Sequence, residues 1–404
     1  MSASSAPTTG FRLFWACATL LAWAAFAALA LHRSDAPIVL GRYSPGYAKL
    51  LAGVLAACTG LTFANAPWCL ARIETWRREL LLVPVSLGVA LLGAELFLRL
   101  FDPIGISYYA EIARYANDRV PGPELFYHQP RSTTRRYQDV EVRYNEAGLR
   151  DDPIAPKADG EWRVLVLGDS VAFGWGVQQE QIFSAVLQRL LAAELQRPVR
   201  VINTGVCSYN TVMQLAWLRE HGFALQPDLI LLSYVTNDVV PAAQVWSEAG
   251  GGSGQAPPFT HVAVSLLRRT WLYRLVVHVG KEKPLRSVPG LPGDPGWQAS
   301  MQALRAVVEE SQARDLGVAA HLWTWQLDAS HAELLAHMRS AMAPVAVEET
   351  ASWFADGSTG RWFNSAVDRH PNAEAHALAA RRILESLRAQ QLLPVDSRSV
   401  LSRR

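Results

Sequence analysis

The stretch RVLVLGDSVAFGWGV, Arg163 to Val177, decides the fold of this chain. Arg163 opens a five-residue run that is otherwise apolar, and Gly168-Asp169-Ser170 closes it. Valine and leucine without an alternating polar position specify a strand buried on both faces. A serine at the tip of such a strand belongs either to an ordinary strand-to-helix turn or to a nucleophile held at a sheet rim. The segments around it separate the two.

From Trp162 onward, short apolar runs alternate with helical periods. QIFSAVLQRLLAAELQ (181–196) has the spacing of an amphipathic helix, VRVIN (199–203) reads as a second strand and YNTVMQLAWLREHG (209–222) as a second helix. After Pro227-Asp228, LILLSYV is a third strand. WQASMQALRAVVEESQARDLG (297–317) is predicted helical, VAAHLWTW (318–325) is a fourth strand and AEAHALAARRILESLRAQQ (373–391) the last helix. Strand and helix in alternation predict an α/β domain whose parallel sheet is covered on both faces. That domain is expected over 161–392, with an insertion at about 241–296 and a tail over 393–404. Within the insertion, SEAGGGSGQAPP (247–258) and KEKPLRSVPGLPGDPG (281–296) flank the helix-like HVAVSLLRRTWLYRLVVHV. A lid, a substrate platform and a plain linker all fit this excursion.

Upstream the composition changes. Leu13–Leu31 is an uncharged run, Leu50–Leu70 is interrupted by Asn65 and Pro67, and Leu80–Leu98 carries Glu95. Each is close to the ~20 residues a helix needs to cross a bilayer. Apolarity all round the helix fits lipid better than a soluble bundle. The first run is longer than the ~7–15 apolar residues of a signal peptide and has only Arg12 as a basic leader. It therefore reads as an anchor, despite Ala28-Leu29-Ala30 resembling a cleavage site. Arg72, Arg77 and Arg78 put the loop between the second and third runs in the cytoplasm, and everything after Leu100 outside the inner membrane. Arg33, Arg42, Lys49 and Arg99 weaken that asymmetry. Residues 1–102 are thus expected to form a membrane region with three transmembrane helices. Residues 103–160 form a polar extension packed on the main domain. In that extension the alternation of Val140, Val142 and Tyr144 predicts a hairpin or edge strand, and Asn145 to Gly148 a turn.

The net charge of +2 and the lack of a basic tract argue against a nucleic-acid partner. Cys17, Cys58, Cys69 and Cys207 form no C-x-x-C pair, which supports neither a zinc site nor a disulfide framework. G-x-S-x-G, H-E-x-x-H, Walker and dinucleotide signatures are all missing, so no cofactor or metal is expected.

Ligands of open parallel sheets bind at the carboxyl ends of the strands. Gly168-Asp169-Ser170, Asn203-Thr204-Gly205 and Thr236-Asn237-Asp238 end three of the strands, and VDRHPNAEAH places Asp368 and His370 before the last helix. These are the parts of nucleophilic acyl chemistry. A serine hydroxyl needs a neighbouring base, an imidazole titrates near neutrality, and a carboxylate orients that imidazole. Ser170, His370 and Asp368 take these roles, and the N–H groups of Ser170 and Gly205 with the Asn237 amide are candidate oxyanion donors. Asp169 is expected to tie down its turn, Asp238 to satisfy loop amides, Cys207 to be a small packed residue and His376 to lie on a helix surface. Trp175 fits core or rim packing better than sugar stacking.

These segments, in this order, resemble the SGNH hydrolase superfamily, or GDSL-type esterases and lipases, over about residues 162–390. Gly168-Asp169-Ser170 resembles the nucleophile block, Gly205 the glycine block, Asn237 in VTND the asparagine block and His370-Pro371-Asn372 the histidine block. The lead-in VRYNEAGLRDD is similar to membrane-linked bacterial members. The resemblance implies a three-layer α/β/α, flavodoxin-like fold, no metal cofactor, and ester hydrolysis or acyl transfer, often on acylated carbohydrates. Two positions depart from the pattern. Val235 stands where the asparagine block has glycine, and Asp368 lies two residues before His370 rather than three. Three functions follow: a membrane-anchored esterase acting on O-acyl, including O-acetyl, groups of an envelope or secreted polysaccharide; an O-acyltransferase using the same residues; or a disabled glycan-binding or assembly module.

Overall fold

The computed structural model describes residues 8–31, 39–40, 42–43, 45–122, 126–241, 270–276, 296–325, 328–354 and 359–394. Of the excursion expected at 241–296, only its two end residues and 270–276 fall among them, and most of the 393–404 tail lies outside. The chain divides into two compact units, Met1–Phe101 with Ser253–Arg274, and Asp102–Gly252 with Leu275–Arg404.

The first unit is helical: Thr9–Ala30, Pro45–Ala64, Pro67–Thr75 and Arg77–Phe101. Three stretches, Thr9–Ala30, Tyr47–Ala64 and Leu82–Phe101, are long and apolar enough to cross a membrane. No residue of Thr9–Ala30 is buried. The first two long helices are joined by polar contacts, Asn65 Nδ2 donating to Thr19 Oγ1 at 2.7 Å and Trp23 Nε1 to Thr62 Oγ1 at 3.0 Å. The apolar run read through to Leu70 is not one helix. It stops at Ala64 and a new helix starts at Pro67, whose missing N–H suits a first helical position.

The second unit opens with helix Tyr108–Asp118 and two small antiparallel ladders. Strand β1 (Val120–Gly122) pairs with β2 (Phe126–His128), and β3 (Thr133–Tyr137) with β4 (Val140–Tyr144), closed at Tyr137 opposite Val140. The main sheet holds β5 (Trp162–Gly168), β6 (Val199–Asn203), β7 (Leu229–Val235), β8 (Gly317–Trp323) and β9 (Val347–Glu349), all parallel, in the order β6-β5-β7-β8-β9. Period-2 alternation sends Leu165, Leu167, Ile230, Leu232 and Leu322 to one face, under helices Thr211–Trp217, Trp297–Gln312 and Ala329–Met342. Val164, Val166, Leu229, Leu231 and Trp323 go to the other, under Phe183–Leu195 and Ala373–Ala389. This is a three-layer α/β/α fold. Strand β9 and helix Ala329–Met342 had no counterpart in the sequence expectation. The strand has three residues, two of them glutamate, too few to establish a period.

The strand order places the site. From β5 the chain moves outward to β6, then returns across β5 to β7. At such a reversal the connections leave the sheet on opposite sides and open a crevice beyond the carboxyl ends. Ser170 follows the end of β5 by two residues, inside that crevice.

Candidate active site

Gly168 is required where β5 ends. A Cβ there would lie 2.7 Å from the Ala172 Cβ and 3.0 Å from the Ser233 carbonyl oxygen. The chain then turns into the short helix Ser170–Phe173, capped by Asp169, whose Oδ1 accepts from the Val171 N–H at 3.0 Å. Ser170 is 9% exposed. Its Oγ lies 3.0 Å from His370 Nε2 and 3.1 Å from Asp169 Oδ2.

His370 sits on the loop leading into helix Ala373–Ala389, 200 residues along the chain from the serine. Asp368 Oδ1 lies 2.6 Å from His370 Nδ1 and accepts the His370 backbone N–H at 3.1 Å. A carboxylate only accepts, so Nδ1 carries the ring proton and Nε2 faces Ser170 as the acceptor. The two-residue spacing works because the loop is tightly laced. The Asn364 N–H bonds the His370 carbonyl at 3.1 Å, the Ser365 N–H bonds the Asp368 carbonyl at 3.1 Å, and the Asp368 N–H bonds Ser365 Oγ at 3.0 Å. Asn364 Nδ2 donates both to Asp368 Oδ2 at 3.2 Å and to the Trp175 carbonyl at 2.9 Å, tying the histidine loop to the serine loop. Gly176 makes room for it, since a Cβ there would fall 2.1 Å from Asn364 Nδ2.

Arg150 braces the serine loop from beneath. Its guanidinium is 1% exposed and donates to the carbonyls of Phe173 (3.1 Å), Gly174 (2.6 Å) and Val177 (2.6 Å). Burial pushes its pKa down to about 10, which leaves it charged at neutral pH. Trp175 is core, 1% exposed, its ring 6.3 Å from that of His370. Tyr108, from the first helix of this unit, lies 5.9 Å from the His370 ring. Burial, and then the Asp368 charge, push its hydroxyl up, so it stays a neutral phenol.

The oxyanion candidates fare unequally. Asn237 Nδ2 donates to Asp169 Oδ2 at 3.2 Å, and an amide carries a second N–H. Val235 does not displace it: Val235 ends β7 and gives its N–H to Asp238 Oδ2 at 3.3 Å. Gly205 requires correction. Its N–H is taken by Asn203 Oδ1 at 3.0 Å, and the residue is glycine because a Cβ would come 2.3 Å from the Phe173 nitrogen. Further along the same loop, Ser208 holds a left-handed φ of 68° and an N–H with no partner among the described residues. Asn364, Arg150 and Tyr108 were all missed from sequence.

Two buried carboxyls lie under the rim. Burial raises Asp169, against the Val171 N–H, His370, the Asn237 amide and the Ser170 N–H, all of which favour its charged form. Burial and then the Asp169 charge raise Asp238 well above the usual range, against Gln214 and the Val235 N–H. His376 requires a second correction. It is 0% exposed rather than on a helix surface, stacked on Phe183 with rings 5.9 Å apart, and its Nδ1 accepts the Phe183 N–H at 3.2 Å. Burial pushes it down to about 3. Cys207 is 1% exposed and burial raises its thiol. Among the described residues no group of His, Cys, Asp and Glu is arranged to hold a metal ion.

A serine, a histidine and a carboxylate in hydrogen-bond sequence at a sheet's switch point are the equipment of acyl chemistry. Residues 166–378 match the family model for GDSL-like lipases and acylhydrolases. The chain belongs to the GDSL-like lipase/acylhydrolase family. It is a serine hydrolase acting on ester bonds. Solved structures similar to this GDSL member include TesA, at 17% identity and a TM-score of 0.37, covering 56% of this chain and 98% of that one. A two-domain esterase (CEX) described as active on acetylated mannans matches at 14% and 0.39, covering 59% and 54%. EstA from Pseudoalteromonas sp. matches at 17% and 0.37, covering 57% and 98%. No curated protein matches the sequence.

Proposed function

We propose that this chain is a membrane-anchored esterase that removes short O-acyl groups, acetyl among them, from an envelope or secreted polysaccharide, its hydrolase unit outside the cytoplasmic membrane. The observation that carries the reading is the unbroken sequence from Asp368 Oδ1 to His370 Nδ1 at 2.6 Å and from His370 Nε2 to Ser170 Oγ at 3.0 Å. His370 accepts the serine proton as Oγ attacks the acyl carbon. Asp368 stabilises the imidazolium that forms. The oxyanion draws on the N–H of Ser170 and the second N–H of Asn237; one such donor is worth about 10²–10³ in rate. His370 then protonates the departing sugar oxygen, leaving an acyl-serine, and activates the water that releases the acid. A serine only 9% exposed suits a small acyl group. The candidate spans support the membrane anchor, and the match to the GDSL-like lipase/acylhydrolase model supports an acyl ester.

Full-length protein in lipid nanodiscs should hydrolyse p-nitrophenyl acetate and release acetate from acetylated xylan, and Ser170→Ala should do neither. Equal rates for the two proteins would overturn the assignment. If a glycan acceptor supplied with the ester gains acyl mass instead of acetate being freed, the enzyme is a transferase.

A further inference from the structure

We infer that residues 102–118, the chain that directly follows the third apolar helix, are a positioning element of the active site. The turn at Gly105 holds the loop of Asp368 and His370, and Tyr115 holds the loop after β6. The turn is built locally. The Asp102 carboxylate accepts the N–H groups of Ile106 at 2.6 Å and Ser107 at 3.2 Å. The Gly105 N–H bonds the Asp102 carbonyl at 3.1 Å, and Gly105 takes a left-handed φ of 75°, which suits a residue without a Cβ. Ile106 is fully buried beside it.

Both contacts reach groups that place the reacting atoms. A Cβ at Gly105 would lie 2.1 Å from Ser365 Oγ and 2.4 Å from Ser365 Cβ. Ser365 Oγ accepts the Asp368 N–H, and Asp368 in turn orients His370. An Oγ could swing aside for a larger neighbour, but a Cβ is fixed to its backbone, so the loop itself would have to move. Tyr108 adds its ring, 5.9 Å from that of His370 and 6.4 Å from that of Trp175. Further along the same helix, the Tyr115 ring lies 5.5 Å from those of Phe173 and Trp175, and its hydroxyl accepts the Cys207 N–H at 3.1 Å. The Cys207 carbonyl accepts the Tyr127 hydroxyl at 2.9 Å, so tyrosines of the extension take both backbone polar groups of that residue. This loop lies against the serine helix, where Asn203 Nδ2 donates to the Ala172 carbonyl at 2.7 Å. Residues 102–118 therefore touch the histidine loop, the serine loop and the loop after β6 together. Misplacing a catalytic group by about 1 Å can cost about a hundredfold in rate.

The inference rests on the esterase reading of Ser170 and His370, so its test includes a readout that needs no turnover. In the full chain in nanodiscs, Gly105→Ala should lower kcat for p-nitrophenyl acetate about ten- to a hundredfold with KM held. It should also move the deshielded proton NMR signal of the His370 Nδ1–H. In a Ser365→Gly background, where the colliding atoms are gone, the same substitution should cost severalfold less. Left-handed strain on the alanine is common to both backgrounds, so the difference isolates the contact. Tyr115→Phe strands the buried Cys207 N–H and should lower kcat severalfold, whereas Asn117→Ala, exposed on the same helix, should leave it unchanged. If Gly105→Ala does not fold, Tyr115→Phe decides by its kcat. A wild type that fails to hydrolyse the ester would sink the esterase reading alone, and the NMR signal would then decide. An unmoved signal in Gly105→Ala, an equal cost in the two backgrounds, or a wild-type rate in Tyr115→Phe would overturn the inference.

Discussion

Leu92 and Leu165 are the same side chain under opposite conditions. Leu92 is 70% exposed on helix Arg77–Phe101, and Leu165 is 0% exposed in β5. Around Leu165, water is the alternative to burial, and each buried Å² of apolar surface contributes about 25 cal/mol. Around Leu92 the surroundings that suit an apolar helix are lipid tails, where a leucine gains little by touching another helix. The two units are therefore held differently. The helical unit joins its first two long helices through Asn65–Thr19 and Trp23–Thr62. The hydrolase unit is held by an apolar core on both faces of its sheet and carries Ser170 and His370 beyond the sheet's carboxyl ends. Apolar density identifies an element's solvent, and polar pairing identifies what it is built to do.

The largest effect should come from the rim. Ser170→Ala should lower kcat by about 10⁴–10⁶ with no change in melting midpoint; a variant keeping a tenth of the rate would break the division between core and rim. Next, Leu165→Ala should cost the hydrolase unit about 2–5 kcal/mol, read by denaturant unfolding, whereas Leu92→Ala should leave the helical unit within about 1 kcal/mol in lipid. Equal losses would erase the comparison.

Smaller effects sharpen it. Asn364→Ala frees Asp368 Oδ2 and should lower kcat about ten- to a hundredfold, short of the ~10²–10⁴ of general-base catalysis, with an altered pH profile and unchanged KM. A shift in KM alone would remove Asn364 from the alignment of Asp368. His376 titrates at about 3 when folded and near ~6.5 when unfolded. Between those values the unfolded chain binds more protons, so stability falls as pH drops from about 6.5 toward 3, by up to ~1.4 kcal/mol per pH unit. His376→Gln should flatten that slope in urea titrations at pH 7.5 and 4.5, and parallel slopes would count against it. The smallest change is expected from Asp238→Asn. A carboxyl raised on folding contributes stability at low pH and loses it as pH rises, so the amide should be the more stable form at neutral pH. That gain should vanish on acidification, and a constant gain would point to packing instead of charge.

Much of the fold was legible because it is local. RVLVL, VRVIN and LILLSYV carry strand character in their own composition, and helix Ala373–Ala389 in its spacing. The site was legible as a set of parts but not as contacts. Ser170, His370, Asp368 and Asn237 are brought together, whereas Gly205 serves packing and spends its N–H on Asn203. His376 was misplaced although Ala379, Ala380, Ile383 and Leu387 follow it at i+3, i+4, i+7 and i+11 and put it on the buried face of its helix. Arg150 and Asn364 were invisible because a side chain's carbonyl or carboxylate partner leaves no mark on neighbouring positions.

By itself the sequence determined strands β5, β6, β7 and β8, the apolar character of three N-terminal stretches, and that a serine, an imidazole and an amide stand just after strand ends or before the last helix. Those properties depend on residues a few positions apart, within reach of backbone periodicity. Only the tertiary structure decided that β7 returns beside β5, that His370 meets a serine 200 residues away, and which N–H groups the fold leaves unpaired. Such contacts depend on the direction of each side chain in the packed sheet, and direction is settled only when distant segments exclude water together.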